Sequence, residues 1–145
     1  MATTFTVEVK WDTSNWTNES SRVRGAHVWA GFERPGDFVA SVGRCSITFG
    51  NRDKRFSPGY AAGPLYGNLL PRREVRVQAS DGVTTWTLFR GYIERILPDA
   101  GEWSEGECVI ECVDGMALLA GQAVGVAHES SKAVDEAVSV VRAAL

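Results

Sequence analysis

The stretch from Arg44 to Ala79 constrains this chain more than any other. Cys45, Ile47 and Phe49 alternate with Arg44, Ser46 and Thr48, and Val75, Val77 and Ala79 alternate with Glu74, Arg76 and Gln78. Period-two alternation marks strands with one face in a core and the other in water. Between the two runs there is neither a helical nor a strand period. Connections longer than about 12–15 residues without secondary structure are uncommon in compact domains, and are mostly functional or disordered. Disorder does not fit here. The segment carries Phe56, Tyr60, Leu65, Tyr66, Leu69 and Leu70, and Pro58, Pro64 and Pro71 stiffen it by fixing φ. The sequence therefore predicts two strands joined by an ordered crossing with an apolar underside.

Alternation continues on both sides. Phe5, Val7 and Val9 predict an opening strand. Asp12 to Ser21 is polar and turn-rich, with Trp11 and Trp16 expected to pin it to the core. Val23–Phe32 reads as a second strand with Val28, Ala30 and Phe32 on one face, and the strand that enters the crossing spans roughly 39–49. After the crossing, Arg73–Ser80 is joined through Asp81-Gly82 to Thr84–Phe89, a hairpin signal. The alternation resumes through Gly91, Ile93 and Leu97, with Gly91 as a bend or bulge, and Pro98-Asp99-Ala100-Gly101 turns the chain. Cys108, Ile110 and Cys112 then face one side, and Glu105, Glu107, Val109 and Glu111 the other.

Asp114 can cap a small helix near 115–120, because its carboxylate can accept a free amide of the first turn. Ser130 or Ser131 can open a C-terminal helix near 131–145, where Val134, Val138, Val141 and Leu145 fall at helical spacing. The expected architecture is mainly β: a compact antiparallel barrel or sandwich over 1–128, then a helix over 129–145 that could connect to a further domain.

At 145 residues the chain fits one domain able to bury a core of its own. Its 15 basic and 18 acidic residues leave a net charge of −3. A sequence-independent nucleic-acid binder is normally basic, so nucleic acid is not the expected main partner. No apolar run approaches the ~20 residues that span a bilayer. Met1 to Lys10 alternates polar and apolar residues, unlike a signal peptide. Three cysteines cannot all pair, and a reduced, cytosolic or virion-type state is the simplest reading.

Chemistry-bearing patterns are sparse. In a strand, Cys108 and Cys112 would share a face about 13 Å apart, too far for one zinc ion with bonds of about 2.3 Å. Buried structural cysteine is the expected role. Asp99, Glu102, Glu105, Glu107 and Glu111 could include an acid/base pair, but Glu105 and Glu107 read as a solvated strand face. No Ser/His/Asp or Cys/His arrangement has a recognisable context, and no phosphate-binding glycine loop is present. No catalytic, metal-binding or cofactor-binding residue is assigned, and the expected function is not enzymatic. Tryptophans at 11, 16, 29, 86 and 103 could form a sugar-binding platform, with Trp86 flat on a sheet face between Thr85 and Thr87. The competing reading is packing, because aromatics bury large areas.

The centre of the chain carries a resemblance. Asn51-Arg52-Asp53, Arg55-Phe56-Ser57-Pro58, Pro64-Leu65-Tyr66, Asn68-Leu69, Pro71 and Val75-Arg76-Val77 resemble the N-terminal domain of phage minor tail proteins. That family is similar to the baseplate-hub and tail-tip proteins of long-tailed phages. The resemblance continues through Phe89-Arg90-Gly91-Tyr92-Ile93-Glu94 to Asp114-Gly115-Met116-Ala117-Leu118-Leu119, and covers roughly residues 5–120. One position departs from it. Such phages often carry Asp-Asn-Arg-Asp-Gly, whereas this chain has Gly50-Asn51-Arg52-Asp53-Lys54, and lysine takes a positive φ less cheaply than glycine.

The resemblance implies a split β-barrel and a structural role in a phage or prophage tail. It implies an oligomeric ring, most often a trimer, that links the tail tube to the host-facing tip. Its partners would be copies of itself, the tube and other baseplate or tail-tip proteins. The protein would be made in the bacterial cytoplasm and located in the virion. The alternatives are a carbohydrate-binding β-module for host-surface recognition, or an accessory domain of a tail-associated cell-wall hydrolase.

Within the crossing, Asn51, Arg52, Asp53 and Arg55 suggest a loop locked by charge-assisted hydrogen bonds, with an arginine bridging Asp53 and backbone carbonyls. Phe56, Tyr66 and Leu69 supply its underside, and Asn68 belongs to the same motif. Residues 51–76 hold six basic side chains, Arg72, Arg73 and Arg76 among them, against two acidic ones; residues 99–114 hold six acidic side chains and no basic one. Two blocks of opposite sign suggest a head-to-tail contact in which the basic crossing of one subunit meets Glu105, Glu107 and Glu111 of the next. Contact between the blocks within one fold, or simple solvation, is the alternative.

Overall fold

A computed structural model describes residues 3–32, 34–36, 40–99 and 106–120. The helix expected near 131–145, and with it the segment 129–145, lies outside the described residues. Seven strands form one sheet: β1 (Thr4–Val9), β2 (Thr17–Asn18), β3 (Val23–Gly31), β4 (Ser41–Gly50), β5 (Glu74–Ser80), β6 (Thr85–Asp99) and β7 (Glu107–Val113). The order is β2-β1-β5-β6-β7-β4-β3, and every pairing is antiparallel. A 3-10 turn at Ser20–Arg22 and a short helix α1 (Gly115–Ala120) complete the described elements. The fold is mainly β and antiparallel, as the alternation predicts, and the sheet is not closed into a barrel, which fits a sandwich or a split barrel.

Alternation becomes packing where the same face recurs across strands. Ile47 stands opposite Ile110, which stands opposite Ile96. Val7 stands opposite Val77, and Val77 opposite Phe89. These residues join Val9, Cys45, Phe49, Val75, Ile93, Cys108 and Cys112 in one apolar cluster, with Val28 and Ile96 packed against it. Each fully buried aliphatic or aromatic side chain contributes about 1.5–3 kcal/mol relative to exposure, so this face is the main stabiliser of the fold.

The 15-residue β6 is where the structure departs most from simple alternation. It is one continuous strand rather than two, and it runs through Pro98 and Asp99, which pair with Cys108 and Glu107 rather than turning. Gly91 is not a bulge: it pairs regularly with Val75. It is glycine because a Cβ there would lie 2.1 Å from the Val113 carbonyl oxygen. The extra residues are Leu88, skipped between the Gln78–Thr87 and Val77–Phe89 pairs, and Glu94, skipped between Ile93–Cys112 and Arg95–Glu111. Each bulge shifts the phase by one residue and bends the strand. Ile96 therefore faces the core, while Leu97, expected in line with Ile93, is exposed.

Smaller corrections have the same origin. A register irregularity between Trp29 and Gly31 breaks the face expected for Val28, Ala30 and Phe32, so that Val28 packs and the other two are exposed. The β5–β6 hairpin turns over Asp81–Thr84 rather than over two residues. The Asp81 carboxylate accepts the Val83 and Thr84 amides at 2.9 and 2.7 Å, and Gly82 takes φ +93°. Asp114 caps α1 as its sequence position predicts: Oδ1 accepts the Met116 amide at 2.9 Å, while Oδ2 accepts the Gly43 amide at 2.7 Å and ties the cap to β4.

The topology explains the long crossing. β4 and β5 are three steps apart in the sheet, about 14 Å at 4.8 Å per step, so a tight turn cannot join them. Among the described residues β3 pairs with β4 alone, and β2 and β3 form the two edges of the sheet. Residues of β1, β3 and β5, with Ser20, line an apolar groove of about 400 Å³: Phe5, Val7, Val23, Ala26 and Val77.

Candidate functional site

The crossing begins at Asn51, which is buried at the end of β4. Its amide donates to the Gly106 carbonyl at 2.7 Å. Its side-chain Oδ1 accepts the Phe56 amide at 2.8 Å, and its Nδ2 donates to Ser57 Oγ at 3.0 Å. An asparagine can do both because it carries an acceptor and a donor on one short stem. The bonds fold the chain back so that Phe56 enters the core, where its ring lies 4.7 Å from Phe49 and 6.0 Å from Trp11.

Beyond this fold-back the backbone holds itself by a succession of tight turns. The amides of Lys54, Ser57, Tyr60, Gly63 and Tyr66 donate to the carbonyls of Asn51, Lys54, Ser57, Tyr60 and Gly63, at 2.9–3.1 Å. Every third residue closes one turn and opens the next. Asn68 donates to the Leu65 carbonyl at 2.9 Å. Backbone polar groups are thereby paired without helix or strand, while Leu65 and Leu69 reach the core cluster. The crossing then docks on β6: Arg72 donates to the Ile93 carbonyl at 2.7 Å, and Ile93 returns a bond to the Arg73 carbonyl at 2.9 Å. Lys54 sits at φ +57° and Arg72 at φ +64°, so lysine does adopt the left-handed conformation where the resembling family often has glycine.

Charge locks the crossing, but through partners the sequence did not indicate. Glu19 is 3% exposed, and its Oε1 accepts Trp11 Nε1 at 3.0 Å and Arg55 Nη2 at 2.6 Å. Asp53 pairs with Arg22 at 2.8 Å, rather than with an arginine of the crossing that also reaches backbone carbonyls. Arg76 pairs with Glu8 and lies 4.3 Å from the centre of the Trp16 ring, with Lys10 at 4.9 Å from the same ring. Arg73 Nε donates to the Asn68 carbonyl at 3.3 Å. Glu8, Glu19 and Arg22 carry no local signal, because their roles depend on which strands are neighbours.

The remaining expected residues divide. Arg52 and Arg72 are on the surface, and Asn68 is half-buried. Tyr66 is 57% exposed, which corrects its expected place on the apolar underside: the turn closed by Gly63 and Tyr66 directs Leu65 inward instead. Glu107 lies 3.8 Å from Arg24 and Glu111 2.7 Å from Arg95; Glu105 lies outside the described residues. Where partners are identified, the basic block finds Glu8 and Glu19, and the acidic block finds Arg24 and Arg95.

Burial pushes the Cys45 thiol up to about 12 and, against a bond from the Leu97 backbone, Cys108 to about 11. Both stay protonated near neutrality. Among the described residues no group of three or more His, Cys, Asp or Glu is placed to hold a metal ion, and no helix is long and apolar enough to cross a membrane. Trp86 is 49% exposed and Trp29 64% exposed. No protein-family model matches the chain, and no curated protein matches it.

Proposed function

We propose that this domain is a structural, non-enzymatic part of a phage or prophage tail, with the role of a baseplate-hub or tail-tip protein. It assembles with copies of itself into a ring, a trimer by the family resemblance, that joins the tail tube to the host-facing tip of the virion. The observation that carries this reading is the crossing from β4 to β5. Asn51, Phe56, Leu65 and Leu69, which belong to the motif most specific to the resemblance, are the residues that fasten an ordered connection to an antiparallel β core. An exposed rim of Arg72, Tyr66 and Leu70 is then left on a rigid base. A rigid surface suits assembly because it lowers the ordering cost of association.

The test is size-exclusion chromatography with light scattering of the whole chain, followed by imaging. Closed rings support the reading; a monomer at every concentration counts against it. A second reading, a carbohydrate-binding module, is favoured by the half-exposed Trp86 and the exposed Trp29. Glycan-array binding lost in Trp86→Ala supports that reading instead. Clearing of bacterial cell walls in a zymogram, lost in Glu107→Gln, supports the hydrolase alternative.

A further inference from the structure

The three cysteines are unpaired and buried, and two of them face each other. Cys45 on β4 and Cys112 on β7 stand directly opposite in antiparallel register. Opposed residues of an antiparallel pair have Cα atoms about 4.5 or 5.5 Å apart, according to the hydrogen-bonding pattern. A disulfide accepts Cα separations of about 4.4–6.8 Å, so either pattern lies within reach. The two thiols are close enough for Cys45 to act electrostatically on Cys112. Cys108 shares the core face of β7 but stands opposite Phe49. Four residues along the strand put it about 13 Å from Cys112, beyond bonding distance.

We propose that Cys45 and Cys112 form a cross-strand dithiol, an oxidation site at which a small disulfide such as glutathione disulfide links β4 to β7 and leaves Cys108 as a thiol. One protein thiolate attacks the glutathione disulfide, breaks its sulfur–sulfur bond and releases one glutathione. The second thiolate attacks the protein-side sulfur of the mixed disulfide and releases the other. The protein loses two protons and two electrons, and glutathione disulfide gains them as two thiols.

The surroundings set when this can happen. β4 and β7 are both interior strands of the sheet, both thiols are buried, and burial keeps Cys45 protonated. The closed fold excludes the oxidant and starves the reaction of thiolate, so oxidation follows opening of the β4–β7 pair. Opposed Cβ atoms stand about 4.5–5.5 Å apart, while a disulfide needs about 3.5–4.5 Å. The link must draw the strands together, and such a bond is readily reduced again.

The experiment incubates the full chain with glutathione disulfide, in buffer and in urea below the unfolding midpoint. Acid quenching, alkylation, digestion and mass spectrometry follow. The expected products are a Cys45–Cys112 peptide pair and alkylated Cys108. The rate should rise roughly tenfold or more in urea, since local opening controls access. Cys108→Ser should keep the cross-link, and Cys45→Ser should hold a lasting glutathione adduct on Cys112. A cross-link through Cys108 overturns the proposal. So do lasting adducts on both Cys45 and Cys112 of the wild type, or no reaction in urea.

Discussion

The side-chain oxygen of Asn51 accepts the backbone amide of Phe56 at 2.8 Å. That bond decides which way the crossing faces, because it seats the Phe56 ring against Phe49 and Trp11, and the turns that follow lead to the bonds between Arg72, Arg73 and Ile93 on β6.

Asn51→Ala should therefore cost about 1–3 kcal/mol, the range for leaving a buried donor unsatisfied. Phe56→Ala should cost about 3–5 kcal/mol, the range for truncating a buried ring. Tyr66→Ala, at a surface position, should stay within about 0.5 kcal/mol of wild type. Urea denaturation of the three variants checks the ranking. A Tyr66→Ala loss as large as that of Phe56→Ala would contradict the placement of both rings.

Lys54 occupies a left-handed conformation at φ +57°, which costs a non-glycine residue roughly 1–2 kcal/mol. Lys54→Gly relieves that cost and gives up the contact of Nζ with the Tyr60 ring at 5.6 Å, worth about 0.5–1 kcal/mol at an exposed site. The expected net result is a gain of about 0.5–1 kcal/mol, read as a higher melting temperature. A lower melting temperature would show that the lysine is not strained.

Glu19 accepts from both Trp11 and Arg55 in a buried setting. Glu19→Ala strands both donors, and breaking a buried pair this way costs about 3–5 kcal/mol. Arg55→Met alone should be costly too, because it leaves the carboxylate with fewer partners. The double variant should recover at least about 1 kcal/mol relative to the sum of the singles. Additive losses in the double-mutant cycle would mean the two side chains do not interact.

Acid should unfold the protein through a few identified carboxylates. Bonds from the Asn15 amide and side chain and from the Ser14 amide pull Asp12 from 3.8 to about 2. Burial pushes Asp53 up, but its bond with Arg22 and the Arg55 amide outweigh this and leave it lowered. Burial likewise pushes Glu74 up, but its bonds with Lys10 and Arg90 together outweigh this and leave it lowered. A depressed folded pKa contributes stability above the unfolded value, and that stability is lost as pH falls through the folded one. The melting temperature should hold steady above about pH 5 and fall progressively toward about pH 2. Asp53→Asn should make the slope shallower. An identical slope in wild type and Asp53→Asn would remove Asp53 from the explanation.

Much of this fold is written locally. Strands β1, β4, β5 and β7 show their alternation within their own residues, and the Asp114 cap and the Asp81-Gly82 turn lie beside the elements they serve. The ordered crossing is also legible, because its leucines, phenylalanine and prolines need no distant partner to be noticed. Tertiary structure decided what local sequence cannot encode. Alternation has period two, so one extra residue at Leu88 or Glu94 reverses every face beyond it, and only the neighbouring strand shows where the phase breaks. Glu19 and Glu8 became the anchors of Arg55 and Arg76 because β1 and its following turn lie against β5 and the crossing, a proximity between residues far apart in the chain. Cys45 and Cys112 face each other for the same reason. Hydrophobic pattern determines which face of a strand is buried; the pairing of distant strands determines what that face meets.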